Sequence, residues 1–153
     1  MFASPSLTSP VGLAPTTPGL LGIVSMISIS DYYMGRDAKF PNELTDDLRW
    51  NAASTVDRVN QLLEAFGEHR NVNSGWRPAV VNAGVANAAP KSKHMTCQAC
   101  DLSDDDGSLD AWCMSNLTTL ERIGLWLEHP SATPRWAHVQ IVPPGSGNRV
   151  FRP

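Results

Sequence analysis

One histidine, two cysteines and one aspartate fall within "SKHMTCQACD", residues 92–101. Side chains of these types bind metals or do redox chemistry, and two readings compete for them. In the first, Cys97-x-x-Cys100 is a thiolate metal or redox site with His94 beside it. In the second, His94 and Asp101 are the ligands and the cysteines only pack. Zinc ribbons and knuckles need a second Cys-x-x-Cys pair or a pair of histidines at close spacing. Here there is one pair and a third cysteine at 113. Thioredoxin-like motifs open a helix, whereas "CQACDL" runs into the turn "SDDDG". If 97–102 is a strand, neighbouring side chains alternate faces. Cys97 and Asp101 then share one face, Cys100 takes the other, and the two sulfurs diverge. Free cysteines of this kind, Cys100 and Cys113 among them, usually serve as small core residues. A histidine and a carboxylate that leave a position open suit a catalytic zinc site. His138, in the alternating stretch "WAHVQ", is the third candidate ligand. The alternative for each histidine is plain packing.

Elements must bring these residues together. A helix is expected from Thr45, which can cap it. Asp46 and Asp47 sit in its first turn, and Leu48, Ala52, Val56, Val59, Leu63 and Phe66 recur at helical spacing up to Gly67. The stretch before it, 27–43, reads as a loop with two tyrosines. "NVNSGW" (71–76) reads as the end of a strand, and Pro78 opens a short helical segment. "SDDDG" fails as a calcium loop, because placing Gly107 at the sixth position puts Leu102 at the first. It reads instead as a solvated turn that caps the next helix. One helix is expected from Ser108 to Gly124, turning Leu109, Trp112, Cys113, Leu117, Leu120 and Ile123 to a core. "LWLE" (125–128) and "RWAHVQIV" (135–142) form a hairpin, followed by the Pro/Gly-rich tail "PPGSGNRVFRP". In this hairpin Leu125, Leu127, Ala137, Val139 and Ile141 are the apolar face. If that face meets one core, Glu128 shares the other face with His138. The expected fold is α+β: a small antiparallel sheet with a C-terminal hairpin, flanked by two main helices.

The chain has 153 residues, of which 42% are hydrophobic and 18% charged, enough for one domain with a real core. A net charge of −3 and the absence of any Lys/Arg run argue against a nucleic-acid partner. Three cysteines, an odd count, argue for reduced thiols. Residues 1–25 are Pro/Ser/Thr-rich and are expected to be a disordered extension, with the domain at 26–153 and Met26 as an alternative start. The first basic residue is Arg36, so no secretory signal is recognisable. "LLGIVSMISIS" is too short and too broken by Gly and Ser to span a membrane.

"SKHMTCQACD" resembles the signature Ser-x-His-x-x-Gly-x-Ala-x-Asp of the D-Ala-D-Ala carboxypeptidases and phage L-alanyl-D-glutamate endopeptidases, the M15 or LAS-type zinc peptidases. Ser92, His94, Ala99 and Asp101 match it, and Cys97 stands in place of the glycine. "SGWRP" (74–78) resembles the family's Ser-Gly-Tyr-Arg motif, and "WAH" (136–138) its Trp-x-His. The resemblance implies a LAS/hedgehog-like zinc peptidase fold, with zinc (Zn2+) held by His94, Asp101, His138 and a water. It implies that Arg77 faces a substrate carboxylate or the developing oxyanion. Ser92 would support the first ligand by hydrogen bonding, and Ser92 and Trp136 would line the substrate site. It further implies hydrolysis of a peptide bond in bacterial peptidoglycan, of carboxypeptidase or endolysin type. The protein would be bacterial or phage-encoded and would act at the cell wall as a monomer. One departure matters. The family places its acidic general base three residues before the last histidine, and Arg135 stands there. The hairpin geometry offers Glu128 as the base instead, against the alternative of an exposed glutamate at a loop edge. A domain that keeps the zinc fold without activity is the competing outcome of that departure.

Overall fold

The computed structural model describes residues 26–153; the expected extension over 1–25 lies outside them. Ser28 caps α1 (Ile29–Tyr33) through a reciprocal pair of hydrogen bonds with Asp31. Met34 and Gly35, both left-handed, turn the chain into α2 (Arg36–Lys39). The loop expected over 27–43 is therefore largely helical. Its helices are too short for a periodic signal to emerge.

Helix α3 (Asp46–Phe66) follows its pattern closely, with Thr45 accepting a hydrogen bond from the Leu48 amide and Gly67 left-handed at the end. After it come β1 (Val72–Ser74), α4 (Ala79–Ala83) and β2 (Ala99–Ser103). Strand β2 starts later than expected. Cys97 has φ 56, so it sits in a left-handed turn and not in a strand. The single helix expected over 108–123 is two, α5 (Ser108–Ser115) and α6 (Leu117–Ile123), parted by Asn116 at φ −133. The hairpin forms from β3 (Trp126–Glu128) and β4 (Trp136–Gln140), joined through a 3-10 turn at Pro130–Ala132. The C-terminal tail adds β5 (Val150–Phe151).

The strands form one sheet in the order β1-β2-β4-β3-β5. All neighbours are antiparallel except β5, which runs parallel to β3 with Glu128 opposite Phe151. The sheet is thus mixed, with the expected antiparallel sheet as its body. One face packs on α3, α5 and α6. The core holds Val59, Leu62, Leu63, Leu102, Leu109, Leu120, Leu125, Leu127, Ala137 and Val139, with all three cysteines. Burying these side chains supplies the main driving force, about 25 cal/mol per Å² of apolar surface. The opposite face of β2, β3 and β4 carries the polar residues of the candidate site. Among the described residues no helix is long and apolar enough to cross a membrane.

Candidate metal centre

Asp101 and His138 are register partners across the β2–β4 ladder. Side chains directly opposite on one face of a sheet meet, and His138 Nδ1 lies 2.7 Å from Asp101 Oδ1. His94 comes from the loop before β2. Three hydrogen bonds hold that loop. Thr55 on α3 donates to the Cys97 carbonyl at 2.7 Å, Asn51 on α3 donates to the Thr96 carbonyl at 3.0 Å, and the Arg77 amide donates to the His94 carbonyl at 3.1 Å. Ser92 Oγ accepts from the His94 amide at 3.3 Å, so Ser92 shapes the turn that presents the ring.

The ring of His94 is fixed from behind. Its Nδ1 lies 2.9 Å from the Gly75 carbonyl, which can only accept, so Nδ1 carries the proton and Nε2 keeps its lone pair free. Nε2 is buried, 3.3 Å from Asp101 Oδ2, and makes no hydrogen bond there. Burial lowers the pKa of His94, outweighing the pull of Asp101. Burial thus favours the neutral ring, with its Nε2 lone pair unprotonated. At His138 burial also opposes charge, but the hydrogen bond and charge of Asp101 and the charge of Glu128 prevail and raise its pKa. Its other nitrogen, Nε2, is 3.3 Å from Gln140 Oε1, and Gln140 is oriented by donating to the Val142 carbonyl at 2.9 Å. Burial works to raise the Asp101 carboxyl, yet the hydrogen bond of His138 and the pull of His94 hold it well below the ordinary range.

The ligating atoms of His94, Asp101 and His138 all lie within 4.8 Å of one another. An orphaned buried nitrogen, a carboxylate and a second imidazole, each backed by an outer partner, fit a zinc ion with one open position. Among the described residues this is the group of His, Cys, Asp and Glu side chains that could hold a metal. Cys97 is outside it. Its side chain is fully buried in the core, and burial pushes its thiol up to about 12. The placement of Cys97 beside Asp101 expected from strand alternation is thus corrected, because the residue precedes the strand. The left-handed turn also accounts for glycine in the resembled signature at this position.

Arg77 donates from Nε to Ser74 Oγ at 2.8 Å and from Nη2 to Asp101 Oδ2 at 3.1 Å. Glu128 Oε2 lies 3.8 Å from His138 Nδ1, and burial raises its pKa. Trp136 stands half-buried on the same face of β4 as His138, opposite Ser103 in register. Arg135 points elsewhere: its side chain is 76% exposed and pairs with the equally exposed Asp105 at 3.2 Å.

Two neighbours escaped the sequence reading. The ring of Phe151 meets that of His138 edge-on, with centroids 6.2 Å apart. Arg36 Nη1 donates to the Trp76 carbonyl at 2.6 Å, on the peptide unit that leads into Arg77. Both sit in segments read as loop or tail, where no periodicity marks a face. The glycine turn in "MGR" was the available signal for Arg36.

The family described as Peptidase M15 matches residues 32–124, which include Arg77, Ser92, His94 and Asp101 but end before Glu128 and His138. Neither the curated proteins nor the solved structures contain a match to the chain.

Proposed function

The chain belongs to the peptidase M15 family of metallopeptidases, and from that premise we propose that it is a zinc peptidase acting on bacterial cell-wall peptides, with Glu128 as general base. The observation that carries this reading is the His94–Asp101–His138 cluster with Glu128 beside it on the same sheet face. A zinc ion held there supplies a water acidic near neutrality and a Lewis acid for the scissile carbonyl. In this reading Glu128 would accept a proton at Oε2 from the attacking water and return it to the leaving amine, a role supported by its position 3.8 Å from His138 Nδ1. Burial raises its pKa, the direction that favours returning a proton once it has been accepted. Arg77 binds the negative charge of the substrate or of the developing oxyanion. Trp136 and Phe151 flank the ligand face as apolar walls. Peptidoglycan as the substrate, and action at the cell wall, follow from the motif resemblance. Stem peptides rich in D-amino acids and free carboxylates suit a site with a guanidinium beside its metal.

Glu128→Gln tests the assignment. One zinc per chain should remain by elemental analysis, while kcat on purified peptidoglycan fragments falls about 10²–10⁴-fold. Mass spectrometry of the fragments, with and without chelator, identifies the bond cut and its metal dependence. Turnover retained in Glu128→Gln removes the general-base role. Zinc retained with no cleavage by the wild type at any pH favours an inactive zinc-binding domain.

A further inference from the structure

His138 lies beyond the region that the family shares, which ends at residue 124, so what presents its ring must be read from this chain. Two residues on along β4, on the same face, stands the buried Gln140. Its Oε1 is 3.3 Å from His138 Nε2, and its Nε2 donates to the Val142 carbonyl at 2.9 Å. A carbonyl can only accept, so the amide nitrogen is held toward Val142 and the amide oxygen toward the ring. The backbone between these two residues is itself pinned. The Ile141 amide donates to the Gln98 carbonyl at 2.9 Å, and the Ile141 carbonyl accepts from Arg58 at 3.2 Å. Arg58 reaches it from α3 and also donates to the Gly124 carbonyl at 3.0 Å.

An oxygen facing Nε2 can only accept, so in the neutral ring of His138 Nε2 carries the proton. Nδ1, 2.7 Å from Asp101 Oδ1, is then the nitrogen left for a ligand bond. His94 is held the other way, with Nδ1 on the Gly75 carbonyl and Nε2 3.3 Å from Asp101 Oδ2. The two rings, edge to face with centroids 5.2 Å apart, thus turn different nitrogens to one carboxylate. A His138 ring turned over would point a proton at the cation site.

We propose that Gln140 is a positioning residue for the metal centre: locked by the Val142 carbonyl, it keeps His138 in the tautomer and orientation that offer Nδ1 to a metal. This rests on the reading of His94, Asp101 and His138 as metal ligands. The acceptor is a neutral amide, so it orients the ring without adding negative charge beside Asp101 and Glu128.

Two measurements on the full chain test this without requiring hydrolysis: zinc affinity by competitive chelation, and the ring-nitrogen NMR signals of the zinc-loaded protein. Long-range proton–nitrogen correlations should show His138 protonated at Nε2 and metal-bound at Nδ1, with His94 the reverse. Gln140→Leu removes the acceptor and should weaken zinc binding about ten-fold or more. Gln140→Glu presents an oxygen to Nε2 whichever way it turns and so needs no lock. It should hold zinc at least as tightly as the wild type, although it cannot donate to Val142. Wild-type zinc affinity in Gln140→Leu overturns the proposal, and so does a wild-type His138 bound through Nε2. An equal loss in Gln140→Leu and Gln140→Glu also overturns it, since that pattern reports general damage at the end of β4. Zinc binding that depends on Gln140 in a protein that cleaves nothing would leave this role standing and refute the peptidase reading alone. Metal-dependent cleavage with zinc affinity indifferent to Gln140 would do the reverse.

Discussion

Asp101 meets three cationic or cationisable groups at once: Arg77, His94 and His138. Side-chain types and spacing made His94, Asp101 and His138 candidates against plain packing, and the motif resemblance implied them as the ligand set. What spacing could not supply was the backbone angle at Cys97. A strand reading set that residue beside the ligands, and φ 56 turns it into the core instead. Replacing both Cys97 and Cys100 by alanine should therefore leave one zinc per chain and unchanged zinc affinity by competitive chelation. The cost should appear in stability, about 1–3 kcal/mol from lost burial and packing in a denaturant titration. Zinc loss in the double variant would return the thiols to the site. Arg36 was not legible because nothing local to its sequence ties it to Arg77, which lies far along the chain.

At the scale of elements, the long helix α3 was readable from its period and caps, and the hairpin faces from alternation. The short helices α1 and α2 and the two-residue strand β5 were not, since each is stabilised by tertiary contacts and not by its own pattern. Gly75 shows how tightly those contacts are drawn. A Cβ there would lie 1.8 Å from the Tyr32 carbonyl oxygen, a backbone atom that cannot step aside alone. Gly75→Ala should cost about 3 kcal/mol or more and lower Tm by roughly 10 °C in a thermal melt. It should weaken zinc binding as well, because the Gly75 carbonyl orients His94. A variant with wild-type Tm would mean that α1 is free to move off β1.

For the whole molecule, pH acts through a buried acid outside the metal centre. Asp110 on α5 is buried, with Oδ1 unpartnered and Oδ2 3.3 Å from Thr133 Oγ1. Burial first, then the charges of Asp104 and Glu128, push its carboxyl up to about 7 against the Thr133 hydrogen bond. Its folded value thus lies above the unfolded 3.8, so the folded state holds its proton more tightly. The stability from that proton is fully present below the unfolded value and is lost as pH rises through about 7. Asp110→Asn should raise Tm relative to wild type more at pH 8 than at pH 5, by calorimetry at both. An equal shift at the two values would rule out this titration. The overall α+β architecture was legible because buried apolar positions repeat with a period in the longer elements. The mixed sheet was not, since β5 is set by its pairing with β3 and not by its own residues. That pairing logic reaches the metal centre too, where Asp101 and His138 are partners in one ladder. A slip of one residue between β2 and β4 would send His138 to the opposite face. During refolding, metal binding at the candidate centre should therefore lag behind helix formation and coincide with correct strand registration, so that metal uptake would report the long-range β2–β4 pairing step of folding.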